Sequence, residues 1–451
     1  MDRRTMVFES LPVRQAVFKQ IVPAVFSQII ALLYSLADTY FVGMLNAPAQ
    51  TAAITIVYPS FVMLTAISNL FGIGGASLIA RKLGKKAYQD AKEISSVSFW
   101  LGLLSAFLFS GFFLLFARPI LTLCGATEAT YAFCLDYARW VVVFGGIPTI
   151  MNTLLANLVR AEGAAAQASF GVSLGGILNI ILDPLFILPK FLGMGVAGAG
   201  VATALSNLVS MGYFLLYLYC RKHDTILNIR PAYLKQTKRH LKEILSIGFP
   251  SALQYALTVV AVAAQSAFVA KYATEATAAL GIVKKLDQLP LYFSIGVANG
   301  LLPLLAYNHS AGNELRRRDI FRFGSAISVG FSLLCVIIYE TFAPQLASLF
   351  ISDQQTISYG AAFLRRMVLA MPFMAFCYPM TIQFQAMGKV SEALTISILR
   401  KGVLDVPLLF LMDSLSPLYG CMWVQPIVDC ISLVVASVLY LRMMKGAKYE
   451  L

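Results

Sequence analysis

Twelve apolar stretches follow one another along this chain, each close to the ~20 residues that a helix needs to cross a bilayer. They fall at roughly 14–43, 50–80, 94–118, 131–158, 167–189, 196–220, 243–270, 277–307, 320–347, 359–386, 391–412 and 417–441. Hydrophobic residues are 59% of the 451 and charged ones 13%, against about 45–50% and about 25% in a soluble protein. Such an apolar excess needs lipid to cover it. The net charge of +13 would suit nucleic acid in a soluble chain, but here the basic residues sit in short clusters between apolar runs. The seven cysteines are scattered without a C-x-x-C, and the three histidines, His223, His240 and His309, form no ligand cluster in the sequence. A soluble metalloenzyme, a disulfide scaffold and a DNA-binding protein are excluded. The expectation is an all-α polytopic membrane protein that binds no nucleic acid.

The basic clusters set the orientation. Arg81, Lys82, Lys85, Lys86 and Lys92 follow span two. Seven basic residues between Arg221 and Lys242 follow span six, and Arg316, Arg317, Arg318 and Arg322 follow span eight. The connections after spans one and eleven carry none, and those after five and seven carry one each, Lys190 and Lys271. Basic side chains favour the cytoplasmic side, so both termini are expected there. Arg3, Arg4, Arg14 and Lys19 give the start of the chain the look of a secretory signal. The apolar run behind them is too long, however, and holds Asp38 with no cleavage site after it, so the segment is expected to be retained.

The two halves of the chain look alike. Thr51-Ala-Ala-Ile-Thr-Ile-Val57 recurs as Thr277-Ala-Ala-Leu-Gly-Ile-Val283, an offset of 226 residues (277 − 51). Pro23 with Pro250, Pro148 with Pro372, Gly163 with Gly388 and Asp183 with Asp405 fall at similar offsets. Two lobes are therefore expected, residues 1–225 and 226–451, each with six spans. An even number of spans per repeat makes the repeats parallel, with a route for substrate at their interface. A duplication with a purely structural purpose, such as one lobe of a pore, is the alternative.

An ionisable group inside a span costs at least ~2.5–3.5 kcal/mol on insertion scales and calls for a reason. Asp38 and Asp183 are the clear cases in the first half, at similar depth, with Asn179 one turn before Asp183 and Pro184 beside it. No basic residue lies near either acid in its own span, and a carboxyl group buried without a cation can exchange a proton near neutral pH. Hydrogen bonds from neighbouring helices could instead neutralise them. In the second half Lys284, Lys285 and Asp287 lie in span eight, and Arg400, Lys401 and Asp405 in span eleven. Lys401 and Asp405 have the i,i+4 spacing of an intrahelical pair. These charges either neutralise one another or take part directly. Aromatic and methionine side chains suit varied apolar or cationic ligands. Tyr34, Tyr58 and Phe61, with Met371, Met374 and Tyr378 in span ten, are the candidate lining of a substrate cleft, although packing or lipid contact is the commoner use of any one of them.

Leu36-Ala-Asp-Thr-Tyr-Phe-Val-Gly43, Gly176-Ile-Leu-Asn-Ile-Ile-Leu-Asp-Pro-Leu-Phe-Ile187 and Gly193-Met-Gly-Val-Ala-Gly-Ala-Gly-Val-Ala-Thr203 resemble motifs of the multidrug and toxic compound extrusion (MATE) family. The resemblance covers nearly the whole chain, including Arg81-Lys-Leu-Gly-Lys-Lys86 and Leu418-Tyr-Gly420. It implies two pseudo-symmetric six-helix bundles about a central cleft, alternating access, and export of organic cations or other drugs in exchange for protons or sodium. It further implies a multi-pass protein of the bacterial cell membrane that works as a monomer without cofactor or resident metal. Asp38, Asn179, Asp183 and Thr203 match the N-lobe cation site of the proton-coupled, DinF-like branch, and Asp38, Asn179 and Asp183 would also suit Na+. The NorM-like branch carries an acid in its seventh span, where this chain has Gln254 and Gln265 but no acid. Lys285 and Arg400 match basic positions of similar bacterial members.

The nearest rival is a lipid-linked precursor flippase of the same superfamily, for which Lys284, Lys285, Arg400 and Lys401 would supply a cationic cleft. A membrane enzyme or channel is the rival of another class. The chain shows no nucleophile–base–acid set, metal-ligand spacing or phosphate loop, and a channel has no need of two buried acids in one lobe.

Overall fold

A computed structural model describes residues 5–45 and 47–449. Arg3 and Arg4 lie outside the described residues. After a short helix, Thr5–Glu9, the apolar runs become α1 (Val13–Gly43), α2 (Pro48–Gly84), α3 (Tyr88–Leu115), α5 (Ala165–Ile187) and α6 (Val196–Cys220). Between them, α4 is Glu128–Phe144 followed by Gly146–Ala161, bent by 45°. The second half repeats the series as α7 (Thr237–Ala270), α8 (Thr274–Ser310), α9 (Glu314–Ser348) and α10 (Gln354–Ala386). It closes with α11, in which Val390–Ile398 and Asp405–Leu415 flank a π-helical turn at Leu399–Val403, and with α12 (Gly420–Tyr449). Among the described residues ten helices are long and apolar enough to cross a membrane, and eleven if the bent pair of α4 is one span. The twelfth expected span is α11, whose break leaves no single helix long enough to qualify.

The internal repeat is visible in the backbone. Gly163 and Gly388, paired in the sequence, both adopt left-handed φ, +91° and +72°, just past the ends of α4 and α10. A side chain at either position would be strained, so glycine ends both helices. Contacts between the halves follow the same symmetry: α2 packs on α7, and α8 packs on α1. At the first crossing Gly74 lies on the Ile244 carbonyl and Gly248 on the Leu70 carbonyl, with no room for a Cβ at either. At the second a Cβ on Gly300 would stand 2.9 Å from the Ile21 Cα, and one on Gly296 2.6 Å from the Val25 Cα. Gly74 and Gly300 are themselves 226 residues apart.

These crossings lie at one end of the bundle, the end that carries the basic connections. Lys82 pairs with Asp90 at 2.7 Å across the turn after α2. Glu93 of α3 takes His240 at 3.0 Å and Arg239 at 3.6 Å, both from the start of α7. Arg316 of α9 donates to the Phe8 and Leu11 carbonyls at 2.8 and 2.6 Å, and Ser77 of α2 donates to the Gln385 carbonyl of α10 at 2.9 Å. The segment between α6 and α7 is strapped to the first lobe at the same end. Thr225 reaches Glu162 at 2.7 Å, Ser96 donates to the Arg230 carbonyl at 2.7 Å, and Trp100 donates to the Ile229 carbonyl at 2.9 Å. Every inter-lobe hydrogen bond or ion pair found among the described residues is here, while Tyr58 and Val260, toward the opposite end, are half-exposed. The lobes are fastened to each other at the basic end.

Candidate functional site

Two adjacent glycines build the first site. On α5, Gly175 faces α6, where a Cβ would meet Ser210 at 3.1 Å, and Gly176 faces α1, where a Cβ would meet Ile30 at 2.6 Å. Positions one and two turns beyond Gly176 on that face are Asn179 and Asp183. Asn179 Nδ2 donates to Asp183 Oδ1 at 3.3 Å and to Thr203 Oγ1 of α6 at 3.4 Å. Asp38 of α1 completes the group, with Asp183 and Asn179 as its neighbours. The structure thus brings together all four residues expected in the N-lobe site. All are buried, Asp183 completely, and among the described residues neither acid has an ion pair. Asp38 Oδ1, Asp183 Oδ2 and Asn179 Oδ1 are left without hydrogen-bond partners. Three unmatched oxygens around two neighbouring carboxyls offer acceptors suited to protons or to a small cation.

A polar layer holds this group from behind. Asn207 donates to the Thr203 carbonyl at 2.9 Å and accepts from Asn152 at 2.9 Å, and Ser210 donates to Asn152 Oδ1 at 2.7 Å. Tyr137, buried on the first segment of α4, lies close to both acids. Nothing in its sequence neighbourhood marks it. Pro184 leaves α5 unbroken to Ile187.

The second lobe is arranged otherwise than its i,i+4 spacing suggests. Lys401 does not pair with Asp405; it donates to Gln425 of α12 at 2.7 Å. The π-helical turn at Leu399–Val403 widens the helix between them and removes the one-turn alignment. The buried ion pair is Arg400 with Asp429 of α12, 2.7 Å apart and 3% and 1% exposed. Gln425 donates to the other Asp429 oxygen at 2.9 Å, and the Arg400 guanidinium lies 4.5 Å from the Tyr378 ring centre. Asp405 Oδ2 has no partner and borders a small cavity lined by Gln265, Lys401 and Gln425 among others. Lys284 reaches the Val262 carbonyl and Ser266 at 3.3 Å, and Asp287 lies near Lys284, Arg400 and Lys401. Lys285 is not drawn into this network. Asp429 is an acid inside an apolar span, so the rule that singles out Asp38 also applies to it; Gln425 carries no such signal.

Of the candidate cleft residues, Tyr58 is 50% exposed, while Tyr34, Phe61 and Tyr378 are partly buried. Met371 and Met374 are only 1% and 5% exposed, and Met371 packs in the second lobe's core with Met367, Val368 and Cys421. They pack and do not line a cleft. The histidines also differ from expectation. His240 meets Glu93 beside Asp90, three groups close enough to share an ion, and His309 meets Glu314 at 2.6 Å. Lys82 and Arg239 already supply the positive charge at Asp90, whose carboxyl the Lys82 hydrogen bond lowers below its ordinary value.

The family model described as MatE matches residues 23–185 and again residues 250–411, once in each half. The multidrug export protein MepA of Staphylococcus saprophyticus is 30% identical over 439 residues, covering 97% of this chain and 96% of the relative. The MepA of Staphylococcus aureus strain MSSA476 is 30% identical over 424 residues, covering 94% and 92%. A structure described as the outward-facing conformation of a multidrug resistance MATE family transporter of the MOP superfamily superposes with TM-score 0.91 at 24% identity, covering 100% of this chain and 99% of that one. A MOP superfamily transporter from Pyrococcus furiosus superposes with TM-score 0.90 at 24% identity, covering 98% of each chain.

Proposed function

The chain belongs to the MatE family, a family of membrane transporters and not of enzymes, and from that premise we propose that it exports drugs and other organic cations in exchange for protons taken up at Asp38 and Asp183. The observation that carries this reading is the pair of neighbouring carboxyls on α1 and α5, buried, with one oxygen each unmatched and, among the described residues, no ion pair to either. Asn179 donates to both Asp183 and Thr203, and Asp38, Asn179 and Asp183 would carry Na+ equally well as oxygen ligands. The exported compound enters the cleft between residues 1–225 and 226–451, against Tyr34, Tyr58 and Phe61. Closure at the basic end supports an outward-open state, with both termini on the cytoplasmic side of a bacterial plasma membrane. Bound cation holds the two acids neutral, and the protein completes its cycle as a monomer. A flippase reading finds less support, because Arg400 is committed to Asp429 and Lys401 to Gln425, leaving few free cations to hold a pyrophosphate.

The test is transport in proteoliposomes with the proton and sodium gradients imposed separately. Export of a fluorescent organic cation should follow the proton gradient. Export driven by sodium alone would overturn the proton assignment while leaving the carboxylates as sodium ligands.

A further inference from the structure

At the basic end a groove of about 390 Å³ opens between α1 of the first lobe and α9 of the second, lined by Val13, Arg14, Asp319, Arg322 and Phe323. The Arg14 guanidinium lies 5.8 Å from the Phe323 ring centre. Phe18, one turn further along α1, meets the same ring edge-on at 5.6 Å. Among the described residues neither Arg14 nor Arg322 forms a hydrogen bond or ion pair through its side chain, so both guanidiniums present their donors outward. Asp319 offsets one of the two charges and leaves the groove with a single net positive charge. Below it, Phe18, Val22 and Phe26 lie one turn apart on α1 and are 49%, 56% and 56% exposed. Eight residues of helix span about 12 Å, most of the ~15 Å of one leaflet's hydrocarbon. A singly charged polar pocket at the membrane boundary thus continues into an apolar track of acyl-chain length.

We propose that this groove between α1 and α9 binds one monoanionic phospholipid of the leaflet on the basic side, its phosphodiester between Arg14 and Arg322 and an acyl chain along Phe18, Val22 and Phe26. That leaflet is where anionic headgroups gather around basic residues, and a guanidinium suits a phosphate in two-point contact. The lipid touches both lobes at their closed end.

Native mass spectrometry of the full chain, equilibrated in mixed micelles with phosphatidylglycerol or phosphatidylethanolamine, reads this directly. One phosphatidylglycerol should be retained in preference to phosphatidylethanolamine. Arg14→Gln with Arg322→Gln should weaken it by about 25-fold, roughly fivefold per guanidinium, while Arg118→Gln, an exposed position away from the groove, should change nothing. Should the double glutamine variant fail to fold, Arg14→Lys with Arg322→Lys keeps both charges and should keep most of the preference. Unchanged phosphatidylglycerol retention in the glutamine pair would overturn the proposal. Equal retention of the two lipids by the wild type would also overturn it. Soluble sn-glycerol 3-phosphate binding as tightly as the lipid would show a free-anion site and sink it as well.

Discussion

Asp38 and Asp183 come together where Gly176 lets α5 approach α1, and among the described residues neither forms an ion pair. Asp38→Asn or Asp183→Asn keeps the volume and removes the charge, which relieves the burial cost. Each variant should insert with normal yield and lose gradient-driven export, read as membrane yield beside transport in vesicles; full export by either would refute their role. In the second lobe the sensitive acid is a different one. Asp429→Asn leaves Arg400 buried and uncompensated, a cost of about 3–5 kcal/mol, and should lower both yield and melting temperature. Asp405→Asn removes a carboxylate that has an unmatched oxygen and should leave stability near wild type. Equal stability loss in the two variants would show that Lys401 pairs with Asp405 after all. These partners escape a sequence reading because Arg400 and Asp429 lie on different helices, and helix rotation decides which side chains meet.

Helices come first from hydropathy and then from where backbones approach. The apolar runs predict α6 to the residue, while α3, α7, α9 and α10 each begin five or six residues earlier than their runs because polar first turns extend them. The exception is α11, where a π-helical turn cannot be read from the identity of Leu399–Val403. The crossing of α2 and α7 rests on Gly74 and Gly248. Gly248→Val would force these backbones apart, costing about 1–3 kcal/mol, with a lower melting temperature and easier chemical access to the closed end as the two readouts. The turn between α8 and α9 is fastened by charge. Burial alone would raise the Glu314 carboxyl, but hydrogen bonds from His309 and Arg317 hold it down at about 2, against an ordinary 4.5. The folded value lies below the unfolded one, so this stabilisation is present above pH 4.5 and lost as pH falls toward 2. The melting-temperature gap between wild type and Glu314→Gln should be constant above pH 4.5 and close below it; a gap that widens in acid would contradict the network.

For the molecule as a whole, alternating access requires the closed end to open once per cycle. Glu93 with His240 and Arg239 joins α3 of one lobe to α7 of the other across that end. A bifunctional methanethiosulfonate cross-link between Glu93→Cys and Arg239→Cys, whose spacer replaces the reach of the two long side chains, should stop transport, and reduction should restore it; undiminished export by the cross-linked protein would show that this contact does not part. The chain's hydropathy determined that it is a bundle of membrane helices, and its internal repeat that there are two alike lobes, because both are patterns within contiguous sequence. The same reading singled out Asp38 and Asp183 at one depth, with Asn179 a turn before Asp183, since an acid in an apolar span carries its own signal; that they share a site was implied by the resemblance to MATE motifs. Only the tertiary structure decided that Arg400 turns to Asp429, that Met371 packs instead of lining a cleft, and that the lobes meet at the basic end. Those outcomes depend on helix rotation and on which of two similar interfaces is closed. Each is set by contacts between residues far apart in the chain, and local composition does not encode them.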